Sequence, residues 1–250
     1  MSTAVATLRT ETTGESRDSH LAAVASRGRG NDACRPVVVI YNWQEIGDVP
    51  LAPGVYAWYY TPEITAFDLD RITSDILELS KTRGIWAAKE AVRDFLDESV
   101  FRYFREQPYS AQLRGPLKPR YEGQIEHRPT LSESLLERIV EEPARLATIR
   151  TVLEASAPNF ASPIYIGMSE RLRIRLGKHK ALIEKYGELP DPGASEEEQR
   201  DHSFAKEVRA RSIPPSRLFV VATVIAGPPG TYVDIENILN RIHYPLLGRN

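Results

Sequence analysis

The sequence predicts an α+β fold, a small α/β unit interrupted by a mostly helical insertion. Three observations predict it. Apolar residues make up 42% and charged residues 26% of the 250 residues, a globular balance with ample material for a core. Short β-branched and aromatic runs stand both before residue 61 and after residue 160. Between them, residues 61–160 carry mainly helix-spaced apolar side chains.

Residues 1–34 are rich in Ser, Thr, Gly, Ala and Arg without sustained periodicity, and read as a disordered tail. Val37 to Tyr41 (VVVIY) reads as a buried strand, and Leu51 to Tyr60 as a second, opened by a Pro-Gly turn. From Asp68 to Phe104 the pattern is helical, with Ile72, Ile76, Leu77 and Leu79 followed by Ala91, Phe95, Val100 and Tyr103. Gln107 to Pro129 is basic and interrupted by Gly and Pro, the signature of a loop. After Thr130 two helices follow, divided at Pro143, which removes a backbone donor and clashes within a helix. PIYIG, from Pro163, is a strand, and the helix after it has Ser169 as a candidate N-cap. An acidic loop from Pro190 leads to a short helix at HSFAKEV, then to the strand RLFVVATVIAG and a last helix stopped by Pro245.

No apolar run approaches the roughly 20 residues of a membrane span. The N-terminus has neither the apolar core of a signal peptide nor the acid-poor character of a transit peptide. Cys34 is the single cysteine, so no internal disulfide or multi-cysteine zinc site forms, and a cytoplasmic protein is expected. With a formal net charge of −2, any binding of nucleic acid must come from local patches. No nucleophile-elbow glycine pattern and no P-loop is present.

One such patch stands out. On the helix after Gly167, helical spacing puts Arg171, Arg175, Lys178 and His179 on one side, beside an apolar stripe of Leu172, Leu176 and Ile183. By charge pattern alone this is equally the solvated face of an ordinary helix. On the last helix, Ile235, Ile238, Leu239 and Ile242 make the stripe expected to be buried, and Glu236, Asn240 and His243 share another face. Tyr56 and Tyr165 lie in strands read as neighbours, which would aim both at the helix carrying Arg175 and His179. Tyrosines are also ordinary strand-core residues.

Taken together, the motifs GVY (Gly54 to Tyr56) and YIG (Tyr165 to Gly167), the helical pair Arg175 and His179, and the distal Glu236 and Asn250 resemble the GIY-YIG nuclease family. The resemblance covers residues 51–60 and 161–250. It implies a small mixed sheet flanked by helices, built from residues 35–60 and 161–250, with 61–160 inserted between the two motifs. It also implies a metal-dependent endonuclease hydrolysing DNA phosphodiester bonds with one Mg²⁺ or Mn²⁺ ion. In that scheme Glu236 holds the metal, Arg175 grips the phosphate and Tyr165 orients water or phosphate. Tyr56 or His179 takes the proton, and Asn250 orders the site. His202 sits where some members carry a further histidine. Family members usually join the two motifs by a short hairpin. A long insert is tolerable because loop-closure cost grows by only about 0.6 kcal/mol per doubling of length. Val55 for isoleucine preserves shape.

Within the insertion, a candidate target-recognition or partner element, Arg114, Lys118 and Arg120 with Tyr121 offer a segment that tracks a nucleic-acid backbone or reads a groove, or else an ordinary surface loop. Arg171, Lys178 and His202 are further candidate nucleic-acid contacts. Double-stranded DNA is the expected partner, with a homodimer if both strands of a symmetric site are cut. The rival expectations are a non-catalytic nucleic-acid-binding module and a protein-interaction module on the same fold.

Overall fold

The computed structural model describes residues 36–105, 108–116, 118–126, 129–188 and 203–248. The chain divides after Pro36, and the described residues beyond it belong to the unit Val37–Asn250. The expected tail (1–34), the acidic loop, His202 and Asn250 lie outside the described residues.

Strand β1 (Val38–Asn42) runs through a 3-10 turn, Trp43–Asp48, into β2 (Gly54–Tyr60). Helices α1 (Ala66–Thr82) and α2 (Ile85–Ser99) follow, then a second 3-10 turn at Phe101–Phe104. Strands β3 (Tyr109–Gly115) and β4 (Lys118–Ile125) precede α3 (Glu133–Glu141) and α4 (Arg145–Phe160). The chain returns through β5 (Tyr165–Ser169), α5 (Leu172–Glu188), α6 (Ser203–Ala210), β6 (Leu218–Val224) and α7 (Thr231–His243).

The architecture is α+β. Four strands form a sheet in the order β1-β6-β2-β5, and every pairing is antiparallel, so the mixed sheet expected from the family resemblance is corrected. β2 and β5 pair directly, with Tyr56 opposite Gly167 and Trp58 opposite Tyr165. Alternation along β2 sends Tyr56, Trp58 and Tyr60 to one face. There they bury with Val220 and Ala222 of β6, Leu172, Leu176 and Ile183 of α5, and Phe204 and Val208 of α6. A second core, from Ile64 to Leu146, joins α1, α2, α3 and α4, with Ile76, Val92, Leu136 and Ile139 at its centre. The acids of α3 do not face outward alone, because Glu133 and Glu137 pair with Lys89 and Arg93 of α2.

Three further expectations change. The helical run from Asp68 breaks at Gly84, whose φ of 85° is a left-handed conformation that ends α1 and turns the chain into α2. The stretch expected to be a loop is the β3–β4 hairpin, whose register shifts between Leu113 and Gly115 to accommodate Pro119, a residue that cannot donate to a ladder. On α7, Ile238 and Ile242 are 57% and 62% exposed rather than buried. That helix rests mainly on β5 and β2, an edge of the sheet too narrow to cover its whole apolar stripe.

Gly54 explains how α5 reaches the sheet. A Cβ there would stand 2.2 Å from the Thr223 carbonyl oxygen and 2.8 Å from Leu172 Cδ1, so only glycine lets β2, β6 and the first turn of α5 close together. Gly54→Ala should lower stability by about 2 kcal/mol or more through overpacking. Gly47→Ala, where a Cβ meets nothing within 4 Å, should be near neutral; urea unfolding of the two variants checks the contrast.

Candidate functional site

The residues of GVY and YIG meet because their strands are neighbours. Tyr56 lies across the opposite strand, and a Cβ on Gly167 would come within 2.7 Å of its hydroxyl oxygen. The second motif's glycine is therefore the space that the first motif's tyrosine occupies. Tyr56 and Tyr165 stand with ring centroids 6.3 Å apart. His179, two turns into α5, meets both edge-on, at 5.7 Å and 5.6 Å. Phe204 of α6 closes the cluster against Tyr165 at 4.8 Å and His179 at 5.3 Å.

His179 is buried, with 3% of its surface exposed, and is held by a residue the sequence analysis did not select. Trp58 Nε1 donates to His179 Nδ1 at 3.2 Å. An indole nitrogen can only donate, so Nδ1 is the acceptor and the ring's proton is on Nε2. Burial, reinforced by the Arg175 charge, pushes the imidazole pKa down to about 3. His179 is thus a neutral group whose basic nitrogen is already engaged. This corrects one expectation: His179 does not belong to a solvated basic side of the helix. The signal for Trp58 was in the sequence, two residues after Tyr56 and so on the same strand face.

The Tyr56 hydroxyl is buried beside Tyr165 and the Arg175 guanidinium, with no well-formed hydrogen bond among the described residues. Burial first, and then the neighbouring Tyr165, raises its pKa above the ordinary tyrosine value, while Arg175 beside it lowers it only in part. At neutral pH the side chain is a phenol.

The five cations of the first turns of α5 divide by role. Arg173 Nε donates to the Val49 carbonyl at 2.6 Å, and Lys180 donates to the Trp43 carbonyl at 3.1 Å and covers the Trp43 ring. Those two fasten the β1–β2 connection. Arg171, Arg175 and Lys178 line a groove of about 440 Å³ with Ser169, Glu170 and Ile174. Among the described residues none of these three cations forms an ion pair. Ser169 Oγ accepts the Arg171 N–H at 3.0 Å, which orders the entry to the helix.

Glu236 is half-buried on α7, the helix packed against β5. Its Oε1 accepts Asn240 Nδ2 at 2.7 Å, and Tyr232, one turn earlier, donates to Glu170 of the groove at 3.1 Å. Among the described residues no hydrogen bond or ion pair joins Glu236 to Tyr56, Tyr165, Arg175 or His179. His243 is exposed. No group of three His, Cys, Asp or Glu side chains gathers among the described residues. A divalent cation at Glu236 would thus have one carboxylate and otherwise water or substrate oxygens, a donor set that suits Mg²⁺ or Mn²⁺. Arg114 and Arg120 are exposed on the hairpin, and Lys118 opens β4; α7, α5 and the two tyrosine strands do not include them.

Comparison with family models, with curated proteins and with solved structures returns no match. No helix among the described residues is long and apolar enough to cross a membrane.

The buried, neutral His179 makes stability pH-dependent. Its folded pKa of about 3 lies below the unfolded value near 6.5. Between these values the unfolded chain binds a proton that the folded chain does not, so this contribution is complete above pH 6.5 and is lost as pH falls toward 3. His179→Asn keeps an acceptor for Trp58 without a titrating ring. Urea unfolding from pH 7 to pH 4 should show a shallower loss of stability in the variant than in the natural protein.

Proposed function

We propose that the chain is a metal-dependent endonuclease of the GIY-YIG type, acting on DNA. The observation that carries this reading is the convergence of Tyr56, Tyr165, His179 and Arg175, from two neighbouring strands and one helix, beside a cation-lined groove. A buried tyrosine hydroxyl set beside a guanidinium offers a neutral donor and a cation at one point, an arrangement useful against a phosphate.

In this reading the groove takes the nucleic-acid backbone, with Arg171 and Lys178 on flanking phosphates. Arg175 grips the reacting phosphate through two parallel N–H donors, which lysine cannot reproduce. His179, fixed by Trp58, holds its proton on Nε2 and serves as a hydrogen-bond donor rather than a base. Tyr56 rests as a phenol, so proton acceptance by its oxygen requires more positive potential than Arg175 supplies alone. Glu236 would hold a divalent cation, which when bound polarises the phosphate and neutralises charge on the leaving oxygen. Asn240 orients that carboxylate, the ordering role the resemblance gives to Asn250.

The test is cleavage of plasmid and linear duplexes by the full chain with Mg²⁺, Mn²⁺ or EDTA. Glu236→Ala should abolish metal-dependent cutting, and full-rate cutting by that variant would overturn the reading. Arg175→Ala should lower the rate by about 10²–10³-fold, the effect of losing one preorganised donor at a charged transition state. If Tyr56 accepts the proton, its raised pKa makes cleavage climb with pH beyond about pH 8, and Tyr56→Phe removes that rise.

A further inference from the structure

The β3–β4 hairpin packs chiefly within itself, and most of its described side chains are exposed. A two-stranded hairpin with no third layer is marginal in water, so its persistence as an arm calls for a partner. The register sorts its side chains sharply. Tyr109 faces Ile125 and Leu113 faces Tyr121, so one side is apolar. The other side carries Ser110 opposite Gln124, Gln112 opposite Glu122, and Arg114 and Arg120 beyond them.

From this arrangement we infer that the polar side of the hairpin is a major-groove reading element for double-stranded DNA, an inference that rests on the endonuclease reading above. Three observations support it. A two-stranded ribbon is one of the two elements that fit the major groove. The residue types on this side are those that discriminate base edges: Arg for guanine, Gln for adenine, and Glu accepting from cytosine. Alternate residues on a strand face stand about 6.8 Å apart, roughly two base-pair steps, so Gln112 and Arg114 can address separate positions.

The side chains are also pre-ordered. Arg114 Nη2 donates to Gln112 Oε1 at 2.8 Å, Gln112 Nε2 donates to Glu122 Oε1 at 3.2 Å, and Arg120 pairs with the same carboxylate. A chain of exposed, mutually oriented forks limits the entropy lost on contact with bases. Of the two nucleic-acid roles expected for this basic stretch, groove reading is the one this arrangement favours, extended to Gln112, Glu122 and Gln124.

The test uses the full chain in EDTA with a pool of duplexes randomised over a central window, sequencing what is bound. The natural protein should enrich a motif. The Gln112→Ala/Gln124→Ala double variant should still retain duplexes but lose preference about tenfold at particular positions of that motif. Arg114→Gln and Arg120→Gln should each relax the preference for guanine at one position of the motif. The unfolding midpoint of every variant is measured to keep misfolding apart from lost readout. An unchanged motif in the double variant, with metal-dependent cleavage intact, overturns the hairpin assignment and leaves the endonuclease reading standing. Failure of the natural protein to bind any duplex overturns both. If Leu113→Ser/Tyr121→Ser converts a dimer to a monomer while the polar-side variants leave the motif unchanged, the arm belongs to a second copy of the chain, and the DNA assignment falls.

Discussion

The close passage of Tyr56 over Gly167 is the constraint on which the site depends. β2 and β5 are hydrogen-bonded neighbours with these two residues opposite one another, and the absent side chain of Gly167 is filled by the phenol. That geometry leaves the hydroxyl buried, close to Tyr165 and Arg175. Gly54 does the corresponding work at the other end of β2 by admitting Leu172, so the helix bearing Arg175 and His179 seats directly over the tyrosines. Two glycines thus set the depth of the site, and Trp58 sets its protonation by taking the one nitrogen of His179 that could have accepted a proton.

The insertion is compatible with this precision because of where its ends lie. Ile164 N donates to the Trp58 carbonyl at 2.8 Å, so the chain leaves β2 and re-enters on the adjacent strand. Residues 61–160 therefore span a gap no wider than one strand spacing, about 4.8 Å. Arg217, just before β6, clasps both sides of that gap: its carbonyl accepts the Thr61 N–H, and its guanidinium pairs with Glu63 and with Glu154. Tyr103 packs against Tyr60 at 4.8 Å and adds an apolar tie between the inserted segment and the sheet core. With a core of its own from Ile64 to Leu146, the inserted segment carries an arm without loading strain onto the tyrosine strands.

Much of this was legible in the sequence, for physical reasons that differ by residue. The strands announced themselves through β-branched and aromatic runs, and Pro143 marked a helix boundary because proline lacks the N–H that continues a helix, although Pro158 is accommodated in the last turn of α4. The helical stripe of Leu172, Leu176 and Ile183 was readable from spacing and is buried as expected. What spacing could not reveal was which side of a shared helical arc turns inward. His179 and Lys178 are sequence neighbours on the basic side, yet one is buried among aromatic rings and the other lines an open groove. The hairpin was hidden because Gly and Pro normally signal loops, and here they supply its turn and bulge. The exposure of Ile238 and Ile242 follows from the width of the sheet edge beneath α7, a tertiary fact no local pattern contains.

The partition of charge on α5 connects the modest net charge to a local electrostatic function. Arg173 and Lys180 spend their donors on the carbonyls of Val49 and Trp43, so their fields are partly tied to the scaffold. Arg171, Arg175 and Lys178 keep theirs for the groove, and Glu170 at its rim is turned toward Tyr232. Potential concentrated in one groove acts on a bound anion more strongly than the same charges spread over a surface. Because His179 is held neutral, the field at Tyr56 comes mainly from one guanidinium, and burial still outweighs it. In the endonuclease reading proposed above, the resting site binds an anion and withholds base strength at Tyr56. Any rise in that strength must arrive with positive charge brought into the site, which couples proton acceptance to the assembly of the full complex.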